Sequence, residues 1–184
     1  MNQDRMKHFI ALCVASVAIA SLSAETYLSE AQAVKIAIPS AASVTKEIRQ
    51  LTPEQRSSLE RASGLRFPET QYTYFVGYDT NQHVIGRAVI MNEIGKEERI
   101  TFIVGTTPTH EIRDVAIMEF RESRGSEVRE GRFLRQYHGK KSTDPIQVNR
   151  DIVNYTGATL SSQAVSRGVK KALVLTDLFY PGHQ

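Results

Sequence analysis

The sequence predicts an α+β fold: an antiparallel β-meander packed with helices, a small-residue loop opening a C-terminal helix, and a short helical preface. Three observations predict it. Apolar and polar residues alternate in successive runs between Tyr72 and Phe120, with polar turns between them. A helical apolar stripe follows only near the C-terminus, in Ala164/Val165, Gly168/Val169 and Ala172/Leu173. Capping signals appear twice before the first run. Strands in succession followed by a terminal helix describe α+β rather than a doubly wound parallel sheet.

In chain order, Arg5 and Lys7 precede a short apolar run, Phe9–Ala20, and then SLSAE. A charged start, a brief apolar core and small residues outline a secretory signal. Cleavage after Ala20 or Ala24, or an uncleaved membrane anchor, fits residues 1–24. The single cysteine, Cys13, lies inside this segment, so the exported part has no thiol for disulfides or metal clusters. Residues 25–70 read as a helical preface. Ser29-Glu30-Ala31-Gln32 is a capping box opening a helix that ends before Pro39. A shorter helix is predicted over Val44–Leu51. Thr52-Pro53-Glu54-Gln55 is a second capping box, with Pro at the first helical position and Gly64 as the stop.

From residue 71 to 184 the chain forms the main domain. YTYFVGY, VIGRAVIM, RITFIVG and EIRDVAIMEF read as strands, with Asp79–Gln82 as the first turn. Gly125 breaks the chain, and a helix from Ser126 carries Val128, Phe133, Leu134 and Tyr137. Ile146–Val153 reads as extended. The helix behind Thr156-Gly157-Ala158-Thr159 has Thr159 or Ser161 as its natural N-cap, and Arg167, Lys170 and Lys171 fall outside its apolar stripe. Hydroxyls and small residues at a helix start make a seat for a phosphate.

The run TGATLSSQAV resembles the FMN-binding domain family, which includes the flavin-carrying subunits of the sodium-pumping NADH:quinone reductase and the Rnf complex. Glu119, Glu122, Gly125 and FLRQYHGK (Phe133–Lys140) are similar to the family's upstream block, so the likeness spans roughly Tyr72 to Leu178. It implies FMN joined through its phosphate to Thr159, installed from FAD by a separate Mg²⁺-dependent flavin transferase. Thr156, Gly157 and Ala158 complete the attachment loop, and the backbone N–H groups around Leu160, Ser161 and Ser162 steady the phosphate. Thr159 is then a modification acceptor; the resemblance assigns no catalytic residue and no metal. Where modified members carry an acid three positions before the first Ser/Thr of the tetrapeptide, this chain has Val153; Asp151 is the nearest carboxylate.

The resemblance implies an exported electron-transfer flavoprotein, periplasmic or on the outer face of the cytoplasmic membrane, rather than a self-contained turnover enzyme. Its partners would be the flavin transferase and a membrane quinone reductase, cytochrome or other redox protein, with membrane association through the N-terminus. The alternative is a non-redox binding or sensory module of the same fold that scaffolds or regulates a membrane complex.

A net charge of +3, with acids interleaved among bases, excludes a nucleic-acid reading. His83, His110, His138 and His183 lack paired ligand spacing, which points to surface or loop roles. Phe133, Leu134 and Tyr137 are either a core stripe or neighbours of the flavin ring; Gln136 and Lys140 are candidate partners of ring or phosphate atoms.

Overall fold

The alternating runs pair in sequence to make a six-stranded antiparallel sheet in the computed structural model, which describes residues 25–181. The signal or anchor segment, 1–24, and His183 lie outside the described residues. The elements are β1 (Glu25–Thr26), α1 (Glu30–Ala37), β2 (Ser43–Gln50), α2 (Pro53–Ser63), β3 (Gln71–Tyr78), β4 (Val84–Ile94), β5 (Arg99–Thr106) and β6 (Ile112–Phe120). After two 3₁₀ turns and α3 (Gly131–Leu134) comes the long α4 (Thr159–Phe179). The strand order is β1-β6-β5-β4-β3-β2.

Because side chains alternate across a strand, each face of the sheet has its own core. Tyr74, Val89, Met91, Phe102, Val104, Val115 and Ile117 meet Ala164, Val165, Val169, Ala172 and Leu173 of α4. On the opposite face Phe75, Ala88, Ile103, Ala116 and Met118 meet Ala33, Val34, Ala37 and Ile38 of α1. Gly105 makes the second contact close, since a Cβ there would stand 2.5 Å from the Ala37 carbonyl oxygen. Both predicted capping boxes form, at Ser29/Gln32 and Thr52/Gln55, and Gly64 ends α2 in the left-handed conformation at φ 70°.

Four local expectations are corrected. The segment 44–51, expected as a helix, supplies most of β2, an edge strand paired with β3 from Ser43↔Tyr78 to Gln50↔Gln71. Its Lys, Glu, Arg and Gln favour helix locally, but the backbone pairing overrides that preference. The C-terminal helix end is bolted to this strand, for Tyr180 donates to Glu47 Oε2 at 3.0 Å and Arg49 Nε donates to Tyr180 at 3.3 Å. The helix expected from Ser126 is broken into short turns because Glu130 takes an extended conformation, ψ 133°. Residues 146–153 are a compact loop rather than a strand, bending through Ile146 at φ 49° and Asn149 at φ 66°. Its alternating apolar residues are anchors: Ile146 and Ile152 are both buried in the core below α4. Finally, Lys171, read as falling outside the apolar stripe of α4, does not face solvent. It is buried and, with Arg167, pairs with buried Glu93, at 2.6 and 2.7 Å respectively.

Candidate functional site

The loop leading into α4 is held from below by side chains of the segment before it. Asp151 Oδ2 accepts from Lys140 Nζ at 2.8 Å and from the Ile146 N–H at 3.1 Å, while Oδ1 accepts from the Gln147 N–H at 2.7 Å. Burial alone would raise the Asp151 pKa, but these donors outweigh it and hold the carboxyl below its ordinary range. Gln136 straddles the Val153 peptide, its Oε1 accepting from the N–H at 2.7 Å and its Nε2 donating to the C=O at 3.3 Å. Gln136 and Lys140 are therefore loop braces in this structure. Tyr155 is clamped by Arg132, which donates to its hydroxyl, and by a T-shaped contact with Phe133, the ring centroids 5.7 Å apart.

The backbone then makes a tight turn closed by the Ala158 N–H on the Tyr155 carbonyl, 3.0 Å. Gly157 stands at the third position with φ 87°, a conformation that costs a side-chain-bearing residue strain. A Cβ on Gly157 would meet nothing nearer than Glu127 Oε1 at 4.0 Å, so the turn opens outward. α4 starts at once, with Ala158 as N-cap and no side-chain capping bond. The expected hydroxyl cap does not form. Thr159 is the first helical residue, and its Oγ1 accepts from Asn154 Nδ2 at 2.8 Å. Ser161 packs instead against Gly125, where a Cβ would lie 2.3 Å from its Oγ. The first N–H groups of α4 have no intrahelical acceptor and form the positive end of the helix dipole.

A cleft of about 530 Å³ lies at this helix start, lined by Gly157, Thr159, Leu160, Ser161, Lys96, Glu122, Ser123 and Arg124. That volume is within the range of small-ligand sites, roughly 300–1,000 Å³. Of the residues expected from sequence, the fold brings Gly157, Thr159, Leu160 and Ser161 to the cleft. Thr156 is exposed outside its lining, whereas Ala158 and Ser162 are buried beneath it. Leu160 is about half exposed and offers the cleft an apolar surface. Phe133, Leu134 and Tyr137 belong to the core, not to the cleft, and the Tyr137 hydroxyl is engaged with Ser166 at 2.8 Å.

Lys96, Ser123 and Arg124 are the cleft residues that sequence reasoning missed. Lys96 sits on the β4–β5 turn, and that turn is fastened by Glu122, whose Oε1 accepts from the Glu97 and Glu98 N–H groups at 2.9 and 3.1 Å. No local pattern links a hairpin lysine to a helix start some sixty residues later; only the strand pairing does. Two cations, uncapped N–H groups and an outward glycine make a receptacle for a phosphate-bearing ligand. Among the described residues the buried Asn154 Oδ1 and Ser162 Oγ have no hydrogen-bond partner, leaving polar capacity beside the same loop.

Residues 95–174 match the model of the FMN-binding domain, a span that contains every residue lining the cleft. Among solved structures the fold is similar to NqrC of Shewanella oneidensis, with a TM-score of 0.51 and 16% identity, covering 70% of this chain and 77% of that one. It is also similar to a Na(+)-translocating NADH-quinone reductase subunit from Parabacteroides distasonis, with a TM-score of 0.53 and 14% identity, covering 76% and 79%. No curated protein matches the sequence. The family match and the helix-start cleft fall on the same residues, and it is the segment 95–174 that is similar to the FMN-binding domain.

Proposed function

We propose that the protein is an exported flavoprotein whose FMN is esterified through its phosphate to Thr159 and which passes electrons within a membrane-bound redox assembly. The observation that carries this reading is the Thr159 hydroxyl, set on the first turn of an uncapped helix and lining a cleft with Lys96 and Arg124. In the attachment step, Thr159 Oγ1 attacks the flavin-side phosphorus of FAD. The bond to the bridging pyrophosphate oxygen breaks, AMP leaves, and the hydroxyl proton passes to a base of the flavin transferase. No oxidation or reduction accompanies it.

Bound FMN supplies one- and two-electron chemistry. The chain's own residues bind and orient. Lys96 and Arg124 offset phosphate charge, the α4 N–H groups donate to phosphate oxygens, and Gly157 leaves clearance. Leu160 offers an apolar contact to the ring. A quinone reductase partner is suggested by the Na(+)-translocating NADH-quinone reductase subunit that shares the fold. Export is inferred from the charged start and short apolar run of residues 1–24.

The test is co-expression with a flavin transferase, followed by in-gel flavin fluorescence under denaturing conditions. The unmutated chain is expected to fluoresce, Thr159→Ala to be dark, and Thr159→Ser to keep some signal. Thr159→Ala loses one hydrogen bond, about 1 kcal/mol, so it should still fold. Full fluorescence of Thr159→Ala would put the acceptor elsewhere. A colourless exported protein would favour the scaffolding or sensory module instead.

A further inference from the structure

The geometry points to Asn154 as the positioning residue that presents the Thr159 oxygen for esterification; this rests on the attachment proposed above. Asn154 makes a side-chain hydrogen bond to the Thr159 hydroxyl, with 2.8 Å between the amide nitrogen and Oγ1. Its other amide atom, Oδ1, is buried and has no hydrogen-bond partner among the described residues. The contact with Thr159 Oγ1 is 2.8 Å whichever end of the amide makes it, because the two ends exchange places by a half-turn that leaves heavy-atom positions nearly unchanged. After that half-turn Oδ1 accepts the Thr159 hydroxyl hydrogen.

The consequence for Thr159 is directional. With its hydrogen held by Asn154, the remaining lone pairs of Oγ1 are free to face an incoming phosphorus. An amide does not take the proton away, so the proton still leaves to the transferase. Asn154 acts by fixing the direction of attack, the kind of placement on which rate depends steeply.

Nearby groups do not substitute for it. Asp151 has both oxygens committed to Lys140, Ile146 and Gln147. Val153 is 69% exposed, its peptide pinned by Gln136. Asn154 is itself held in place because the preceding peptide is pinned and the following Tyr155 is clamped by Arg132 and Phe133. A neutral amide also puts no negative charge beside the anionic pyrophosphate, as a carboxylate in contact with Oγ1 would.

The experiment uses the full exported chain, purified flavin transferase, FAD and Mg²⁺, with covalent FMN followed over time by intact mass. Rates are measured at saturating acceptor protein and at low acceptor concentration, so that the maximal rate and the half-saturating concentration are read separately. Asn154→Leu keeps similar bulk but neither donates nor accepts. It is expected to lower the maximal rate at least roughly tenfold with an unchanged half-saturating concentration and an unchanged melting temperature to within a few degrees. Asn154→Asp retains an acceptor for the hydroxyl hydrogen but adds charge beside the pyrophosphate, and is expected to recover part of the maximal rate lost in Asn154→Leu. An Asn154→Leu rate equal to the unmutated one overturns the proposal, and so does an Asn154→Asp rate as low as that of Asn154→Leu. If the unmutated chain gains no flavin mass, the attachment reading fails and this proposal falls with it; a modified unmutated chain with an indifferent Asn154 sinks the positioning role alone.

Discussion

Removing the Asp151 carboxylate should loosen the loop that delivers Thr159. The carboxylate satisfies two backbone N–H groups and the Lys140 ammonium, at 2.7, 3.1 and 2.8 Å, with its side chain only 20% exposed and that of Lys140 19%. It also secures Ile146 at φ 49°, an unfavourable conformation for a β-branched residue. Hydrogen bonds to a charged group are worth about 1.5–3 kcal/mol each. They are not additive here, since one carboxylate serves all three and the loop relaxes when it is lost. Asp151→Ala should therefore cost about 2–4 kcal/mol. In a domain of this size each kcal/mol moves Tm by about 2–4 °C, giving a drop of roughly 5–15 °C. Asp151→Asn should recover little, because its NH₂ would face the donors that Oδ2 now accepts from. The assay is thermal unfolding by circular dichroism, with amide exchange at Ile146 and Gln147 as the local readout. A Tm within about 2 °C of the parent, with undiminished protection at both amides, would refute the reasoning.

Other expectations follow from the same geometry. Because the Asp151 pKa is depressed in the folded state, its stabilisation is complete above the unfolded value and is lost as pH falls below about 4 through the native value. Urea melts from pH 6 to pH 2 should show an acid-sensitive component missing from Asp151→Asn. Glu93→Leu strips buried Lys171 of its counter-charge and should cost about 3–5 kcal/mol, with Glu93→Leu/Lys171→Met regaining much of it; equal stabilities of the two variants in chemical denaturation would contradict this. In a Thr159→Ala background, Lys96→Glu/Arg124→Glu should weaken FMN binding at least roughly tenfold at low salt and less at high salt. Riboflavin, which lacks the phosphate, should bind the two forms alike, and calorimetry that finds FMN equally indifferent would remove both cations from the site.

What the sequence determined by itself was whatever is written in short-range periodicity or in a cap. The meander, the apolar stripe of α4, both capping boxes and the left-handed stop at Gly64 depend on residues within a few positions of each other, so local physics is enough. The small-residue turn before α4 was legible for the same reason, since the demand for glycine at Gly157 is a backbone property. Tertiary structure decided the rest, because each remaining feature balances distant groups. Ser43–Gln50 became a strand only because β3 and Tyr180 were there to receive it. Ile146–Val153 became a loop because Asp151 and the core below α4 reward its anchors more than an extended chain would. Lys171 turned inward to meet Glu93, and the expected cap at Thr159 gave way to a bond with Asn154. Lys96 and Arg124 reach the Thr159 cleft through the β4–β5 turn and the segment after β6. Charge gathered from separate elements has no sequence period, so only the folded chain brings it together.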